Sequence, residues 1–269
     1  MILGIIGCGA IGTDVALAAD EMEEIEEIYL YDKVKDAENK LLRKLKKGRI
    51  AKDIDELIER SDAVFEAASQ EAVFEYGEKV LESGKDLVIM SMGALFDDDF
   101  RERLISLAKK NRCKIYLPSG AICGIDGIAA SRIGGLDEVT LVTTKPPESL
   151  GRKDEKRMVV FDGTARDAVK MFPQNINVAA CVSLAGIGFD KTKVKIVSDP
   201  VAVRIHHKVL AHGRFGRLRA EVENMPNPNN PKSSYLASLS AIAILRLSLI
   251  HISEPTRPRL ISYAVFCLK

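Results

Sequence analysis

The chain has 269 residues, with 39 lysines and arginines against 38 aspartates and glutamates. A net charge near zero excludes a nucleic-acid binder held by phosphate contacts, and no run of about 18 apolar residues is present to span a membrane. At 46% apolar and 29% charged residues, the composition is that of a soluble globular protein able to bury one large or two smaller cores. The N-terminal apolar run is too short for a secretory signal and ends in glycines. The five cysteines, Cys8, Cys113, Cys123, Cys181 and Cys267, form no C-x-x-C pair and sit among apolar residues. They read as reduced thiols of a cytoplasmic protein, with neither a metal site nor a disulfide framework.

The chain opens with Ile2 to Ile6, an apolar run suited to a strand buried on both faces. Gly7-Cys8-Gly9-Ala10-Ile11-Gly12 follows, then an Ala-rich helix from Gly12 to Met22, then a second strand, Ile28 to Asp32. In G-x-G-x-x-G the first glycine permits a tight turn. The second lets backbone approach a pyrophosphate, and the third lets helix and strand pack closely. The amides of Ala10, Ile11 and Gly12 at the helix start present free N–H groups and a positive dipole end to that phosphate. Asp32 lies 20 residues after Gly12, where a carboxylate accepts the ribose hydroxyls of a dinucleotide.

A helix is expected from Asp36 to Lys47, with a basic face of Lys40, Arg43, Lys44, Lys46 and Lys47. That face is a solvated surface or a device favouring the extra phosphate of NADP. Ala63 to Ala68 is a buried strand, and Ser69-Gln70 opens a helix to about Ser83. Asp86 to Met90 is the next strand, ending in Ser91-Met92-Gly93-Ala94. A helix from Asp97 to Asn111 and a strand from Cys113 to Leu117 complete the alternation. Strands alternating with helices predict an α/β, Rossmann-type doubly wound parallel sheet over residues 1–118. Ligands bind outside the C-terminal strand ends of such sheets. Gly7 to Gly12, Ala68-Ser69, Ser91 to Ala94 and Ser119-Gly120-Ala121 all fall there and read as one cofactor cleft.

The pattern changes after Pro118. A short helix, Gly124 to Arg132, precedes strand-like runs at Val139 to Thr144, Met158 to Phe161, Val194 to Val197, His206 to Leu210 and Leu218 to Val222. Helices are expected at Ala165 to Met171 and Val178 to Leu184. This order predicts a smaller α+β substrate and dimerisation domain over residues 119–225, with a largely antiparallel sheet. Pro226 to Pro231 reads as a polar loop. Ser233 to Arg246 reads as an apolar helix that completes the first domain from about residue 232. Leu247 to Arg257 resembles the translation of a transposase adaptor used in DNA library preparation. The tail 247–269 is therefore set aside from fold reasoning, with His251 and Cys267.

A dinucleotide enzyme needs a proton carrier beside its cofactor, and histidine serves best near neutral pH. Outside the tail there are His206, His207 and His212. His206 and His207 are adjacent on a strand and face opposite ways. His212 precedes Gly213-Arg214-Phe215-Gly216, a hairpin turn. A lone histidine is more often structural than catalytic.

Several segments resemble the L-aspartate dehydrogenases of archaea and some bacteria. They are the glycine loop, Glu66-Ala67-Ala68-Ser69-Gln70, Ser91 to Leu95, Pro118 to Ile122, Thr144 to Pro147, Phe172 to Ala180, Gly213 to Gly216 and Asn230 to Ala237. The resemblance covers residues 1 to about 246. It implies NAD- or NADP-dependent oxidation of L-aspartate to iminosuccinate, which hydrolyses to oxaloacetate and ammonia or feeds NAD biosynthesis. It also implies a cytoplasmic homodimer. The family's catalytic histidine lies eight residues after an Asp-Pro and six before a Gly-x-Phe-Gly, which maps it to His207. Ile205 stands where the family carries an asparagine. The family's cofactor contacts map to Ala121 and Asn177.

The residues themselves agree with that mapping. Ala121 is small enough for a nicotinamide to approach. Asn177 can serve a carboxamide or ribose, or cap the next helix. A dicarboxylate needs cations, and Lys145 is either such a cation or a solvent-facing lysine. Two other functions fit the sequence: a homoserine-dehydrogenase-like or other NAD(P) oxidoreductase, and a non-enzymatic dinucleotide-binding regulatory module. Asp32 favours NAD, and Lys33 and Lys35 could offset it.

Overall fold

A computed structural model describes residues 1–172, 176–246 and 267–268. Two compact units divide at Pro118/Ser119, and the chain from Ser238 groups with the first unit.

The first unit is built on a sheet whose parallel strands run in the order β3-β2-β1-β4-β5-β6. These are β1 (Ile2–Ile6), β2 (Glu27–Tyr31), β3 (Gly48–Ile50), β4 (Ala63–Glu66), β5 (Asp86–Ile89) and β6 (Ile115–Tyr116). Between them run α1 (Ala10–Asp20), α2 (Lys35–Leu42), α3 (Ile54–Arg60), α4 (Gln70–Glu82) and α5 (Asp98–Asn111). The chain reverses direction across the sheet between β1 and β4, which is where doubly wound sheets open a crevice. Leu3, Ile5, Ile28, Leu30, Val64, Phe65, Val88 and Ile89 are fully buried, so the central strands are apolar on both faces, as parallel sheets require.

Side-chain caps set the helix starts. The Asp53, Ser69 and Asp97 side chains accept the amides of Glu56, Ala72 and Phe100. Each satisfies one N–H that a helix start leaves orphaned.

Two expectations in this unit need correction. The helix foreseen over Asp36 to Lys47 stops at Leu42, because the Asp20 carboxylate takes the amides of Lys46 (3.0 Å) and Lys47 (2.8 Å). That bond bends the chain into β3. The strand β3 and helix α3 were not foreseen at all.

The second unit holds a five-stranded sheet in the order β11-β10-β7-β9-β8. The strands are β7 (Leu136–Lys145), β8 (Met158–Thr164), β9 (Lys193–Ser198), β10 (Ile205–Gly213) and β11 (Gly216–Asn224). Only β7 and β9 pair in parallel; the other pairs are antiparallel. The helices α6 (Ile125–Gly134), α7 (Ala165–Met171) and α8 (Asn177–Ala185) pack against it and one another. Along β10 burial alternates, with His207, Val209 and Ala211 inward and Leu210 and His212 exposed. That is the period of a strand with one covered face.

Pro226 to Pro231 is not a loop. It belongs to a small hairpin of β12 (Pro226–Asn227) and β13 (Asn230–Ser234). The Asn227 side chain closes it by accepting the amides of Asn229 (2.7 Å) and Asn230 (3.1 Å), the local bonding that makes asparagine a turn former. The helix foreseen from Ser233 accordingly starts two residues later, as α9 (Tyr235–Ile244). Most of the 247–269 tail lies outside the described residues. The described exception is β14 (Cys267–Leu268), a two-residue strand antiparallel to β6.

Candidate active site

The first unit brings eight of the sequence-derived positions together at the C-terminal ends of β1, β2 and β4: Gly7, Gly9, Ala10, Ile11, Gly12, Asp32, Ala68 and Ser69. The three glycines differ as their roles require. Gly7 sits at φ +98°, and a Cβ there would lie 2.7 Å from the backbone of Ala67 and Ala68. A Cβ on Gly12 would run into the Gly7 carbonyl oxygen, whereas one on Gly9 would meet open space. So the first and third glycines are needed for the turn and the close helix packing, and the second leaves room for a phosphate. Gly9 is the N-cap of α1 and contributes no side-chain cap. The first-turn amides of α1 therefore point outward at a helix N-terminus, and these residues fit a dinucleotide diphosphate.

Asp32 is held at this loop by two backbone amides. One carboxylate oxygen accepts Cys8 N–H at 2.7 Å and the other accepts Val34 N–H at 2.8 Å. Asp32 N–H donates to the buried Glu38 carboxylate at 2.7 Å. Burial, together with the carboxylates of Asp32 and Glu38, pushes the Cys8 thiol up to about 12, so it stays protonated. The Ser69 hydroxyl caps α4, while Ala68 is exposed at the loop.

Glu66, at the end of β4, was not foreseen as part of the site. It is 2% exposed. Its carboxylate accepts Ala68 N–H (2.8 Å), Ser91 N–H (3.0 Å) and Ser91 Oγ–H (2.9 Å). Burial pushes it up to about 7 against the pull of those donors. It ties the turn after β4 to the turn after β5.

The second unit holds Ala121, Asn177 and His207. His207 is 4% exposed and faces the covered side of the sheet, while its neighbour His206 is only partly buried. Directly across the strand pair stands Thr143, whose Oγ1 lies 2.9 Å from His207 Nδ1. Lys145 follows two residues along β7, on the same face. Lys145 is not solvent-facing: it is 5% exposed, and burial pulls its ammonium down to about 8. Burial, with Lys145 and His206 nearby, pulls His207 down to about 3, well below the ordinary histidine value.

Thr143 and Lys145 line a recess with Leu141, Ile176, Val178 and Ala179, so the start of α8 abuts the same place. Asn177 is the exposed first residue of α8, and the N-cap position belongs to Ile176. Asn177 is thus not the cap the sequence allowed. Ala121 is buried, and its carbonyl accepts Asn224 Nδ2–H at 3.1 Å. Asn224 pairs with Ile205 at the His207 end of β10. His212 is exposed at the far hairpin end.

Residues 126–248 match the family described as "Aspartate dehydrogenase, C-terminal", and residues 7–118 match "Homoserine dehydrogenase, NAD binding domain". An L-aspartate dehydrogenase of Methanosarcina barkeri is 45% identical over 258 residues, covering 91% of this chain and 95% of that protein. One of Nitrosopumilus maritimus is 43% identical with the same coverage. The crystal structure of aspartate dehydrogenase from Thermotoga maritima superposes with a TM-score of 0.76 at 32% identity, over 91% of this chain and 95% of that one. With a fold, two matched halves and full-length relatives all in agreement, the chain belongs to the L-aspartate dehydrogenase family of NAD(P)-dependent oxidoreductases.

Proposed function

We propose that this chain oxidises L-aspartate to iminosuccinate, with His207 as the proton acceptor and Lys145 as a cation for a substrate carboxylate. The observation that carries this is the buried Thr143–His207–Lys145 cluster on one sheet face. The homoserine-dehydrogenase likeness is confined to the dinucleotide half.

In the first unit Gly7 to Gly12, Asp32, Ala68 and Ser69 would hold a dinucleotide, and in the second the family mapping gives Ala121 and Asn177 as its further contacts. When bound, the nicotinamide ring supplies the acceptor for a hydride. L-Aspartate arrives as an ammonium, and hydride can leave Cα only once nitrogen carries a lone pair. His207 Nε2 would take that proton in the tautomer whose Nδ1–H donates to Thr143 Oγ1, and the 2.9 Å contact holds the ring in place for it. A histidine at about 3 is neutral but weakly basic. The two carboxylates of the substrate reverse this, one by pairing with Lys145 and both by favouring an imidazolium.

The products would be iminosuccinate as its protonated imine, the reduced dinucleotide that has taken the hydride, and the one proton taken from the ammonium. Water then adds to the imine carbon and ammonia leaves, or iminosuccinate passes to NAD biosynthesis. The working assembly is a homodimer in the cytoplasm. The test is reduction of NAD and NADP by the purified protein with L-aspartate beside L-glutamate, L-alanine and L-homoserine. Turnover confined to L-aspartate is expected; turnover of L-homoserine instead overturns the reading.

A further inference from the structure

We propose that the end of β2 selects an adenosine ribose without a 2′-phosphate, so NAD over NADP, and that Glu38 is the specificity-determining residue. This rests on the first unit being a dinucleotide site. An NADP site offers a cation to the 2′-phosphate, and the sequence around β2 and α2 is rich in lysine.

The structure shows five of those lysines engaged, Lys33, Lys35, Lys40, Lys46 and Lys47. Lys35 Nζ lies 3.0 Å from Glu38 Oε1, the same oxygen that accepts Asp32 N–H. The Glu38 side chain is only 1% exposed. Turning Lys35 toward a ligand would strip a buried carboxylate of its counter-ion, a costly exchange. Lys33 pairs with Glu75 at 2.6 Å and lies over the Tyr76 ring. Lys40 pairs with Asp36, and Lys46 with Glu21. Lys47 donates to the Met22 carbonyl. The pairs of Lys33, Lys40 and Lys46 are exposed and weakly held; the buried anion at Glu38 sets Lys35 apart.

Asp32 itself cannot swing aside, because Cys8 N–H and Val34 N–H hold both its oxygens. A 2′-phosphate placed there meets a fixed carboxylate, while Lys35, the lysine tied to a buried anion, is withheld from it. A 2′-hydroxyl meets an acceptor.

The informative variant is Glu38→Gln. Its amide oxygen still accepts Asp32 N–H, but the charge that retains Lys35 is gone. Dissociation constants for NAD and NADP are read by fluorescence titration of the full-length protein, without turnover. In the parent the NADP constant is expected to exceed that for NAD by about tenfold or more, the scale of a like-charge contact at a partly screened site. In Glu38→Gln the NADP-to-NAD ratio should fall about fivefold, the upper range for a released surface cation. Adding Lys35→Met should restore it. Equal affinities in the parent, or an unchanged ratio in Glu38→Gln with an unaltered unfolding midpoint, overturn the proposal. Failure of the parent to bind either dinucleotide overturns the underlying site reading instead.

Discussion

Lys145 makes the sharpest pH-dependent claim. Its ammonium is pulled from 10.5 to about 8 by burial, a cost of charging of about 3 kcal/mol at 1.36 kcal/mol per unit. A lysine with a lowered value is cationic below it and neutral above it. Affinity for a carboxylate should therefore hold up to pH 8 and fall beyond it by about tenfold per pH unit, until the value in the complex is reached. L-Aspartate is a poor probe, because its own amine titrates in this range. Succinate, a dicarboxylate without an amine, isolates the lysine. The assay is the competitive inhibition constant of succinate from pH 6 to 10, with cofactor saturating. Lys145→Met keeps the length and removes the charge. It should weaken succinate at pH 7 by about 30-fold or more, since losing one member of a buried charge pair costs about 2 kcal/mol at least, and its pH profile should be flat. A parent profile that stays flat to pH 10, or an identical limb in Lys145→Met, would refute the reasoning.

Three further outcomes are expected. His207→Ala should lose about 10²- to 10⁴-fold in kcat while still binding dinucleotide, and His206→Ala should lose much less, because its side chain faces the other way; steady-state kinetics and cofactor titration of both variants check this, and the reverse order would sink the assignment. Thr143→Val removes the partner of His207 Nδ1, and kcat with L-aspartate should fall about tenfold with the NAD dissociation constant unmoved. Glu66, raised from 4.5 to about 7, binds its proton more tightly folded than unfolded, so its stabilising contribution is full below pH 4.5 and is lost as pH rises through 7. Denaturant unfolding at pH 5 and pH 8 should show the parent losing about 2–3 kcal/mol relative to Glu66→Gln; parallel pH profiles would contradict it.

The features legible in the sequence are those coded locally. The glycine loop, the strand before it, the helix after it and Asp32 all follow from short-range steric and hydrogen-bonding demands, and they stand where those demands put them. The alternation that gave the doubly wound sheet is equally local. What escaped depends on partners distant in sequence. α2 ends early because Asp20, on α1, captures the amides of Lys46 and Lys47. Thr143 gained no notice because its importance comes from a cross-strand register 64 residues away, and register is not written in either strand alone. Lys145 reads equally as a substrate cation or a solvent-facing lysine, because the α8 residues that line its recess lie more than 30 positions further along the chain. Glu66 looked like one more residue of a buried strand. A charged residue inside an apolar run, Val-Phe-Glu-Ala-Ala, was the signal that could have singled it out.

The paired amides on Asp32 have a consequence for kinetics. Left to itself, a glycine-rich loop samples many conformations, and fixing each residue costs about 1–2 kcal/mol of entropy. Here the carboxylate braces Cys8, inside the loop, to Val34, beyond β2, so that ordering is completed when the protein folds. The arriving dinucleotide then meets a preorganised cradle. Association should be a single fast phase with no slow rearrangement after it. Removing the brace should show first in the on-rate, as a loop that must be caught in the right shape before the diphosphate can settle on the start of α1.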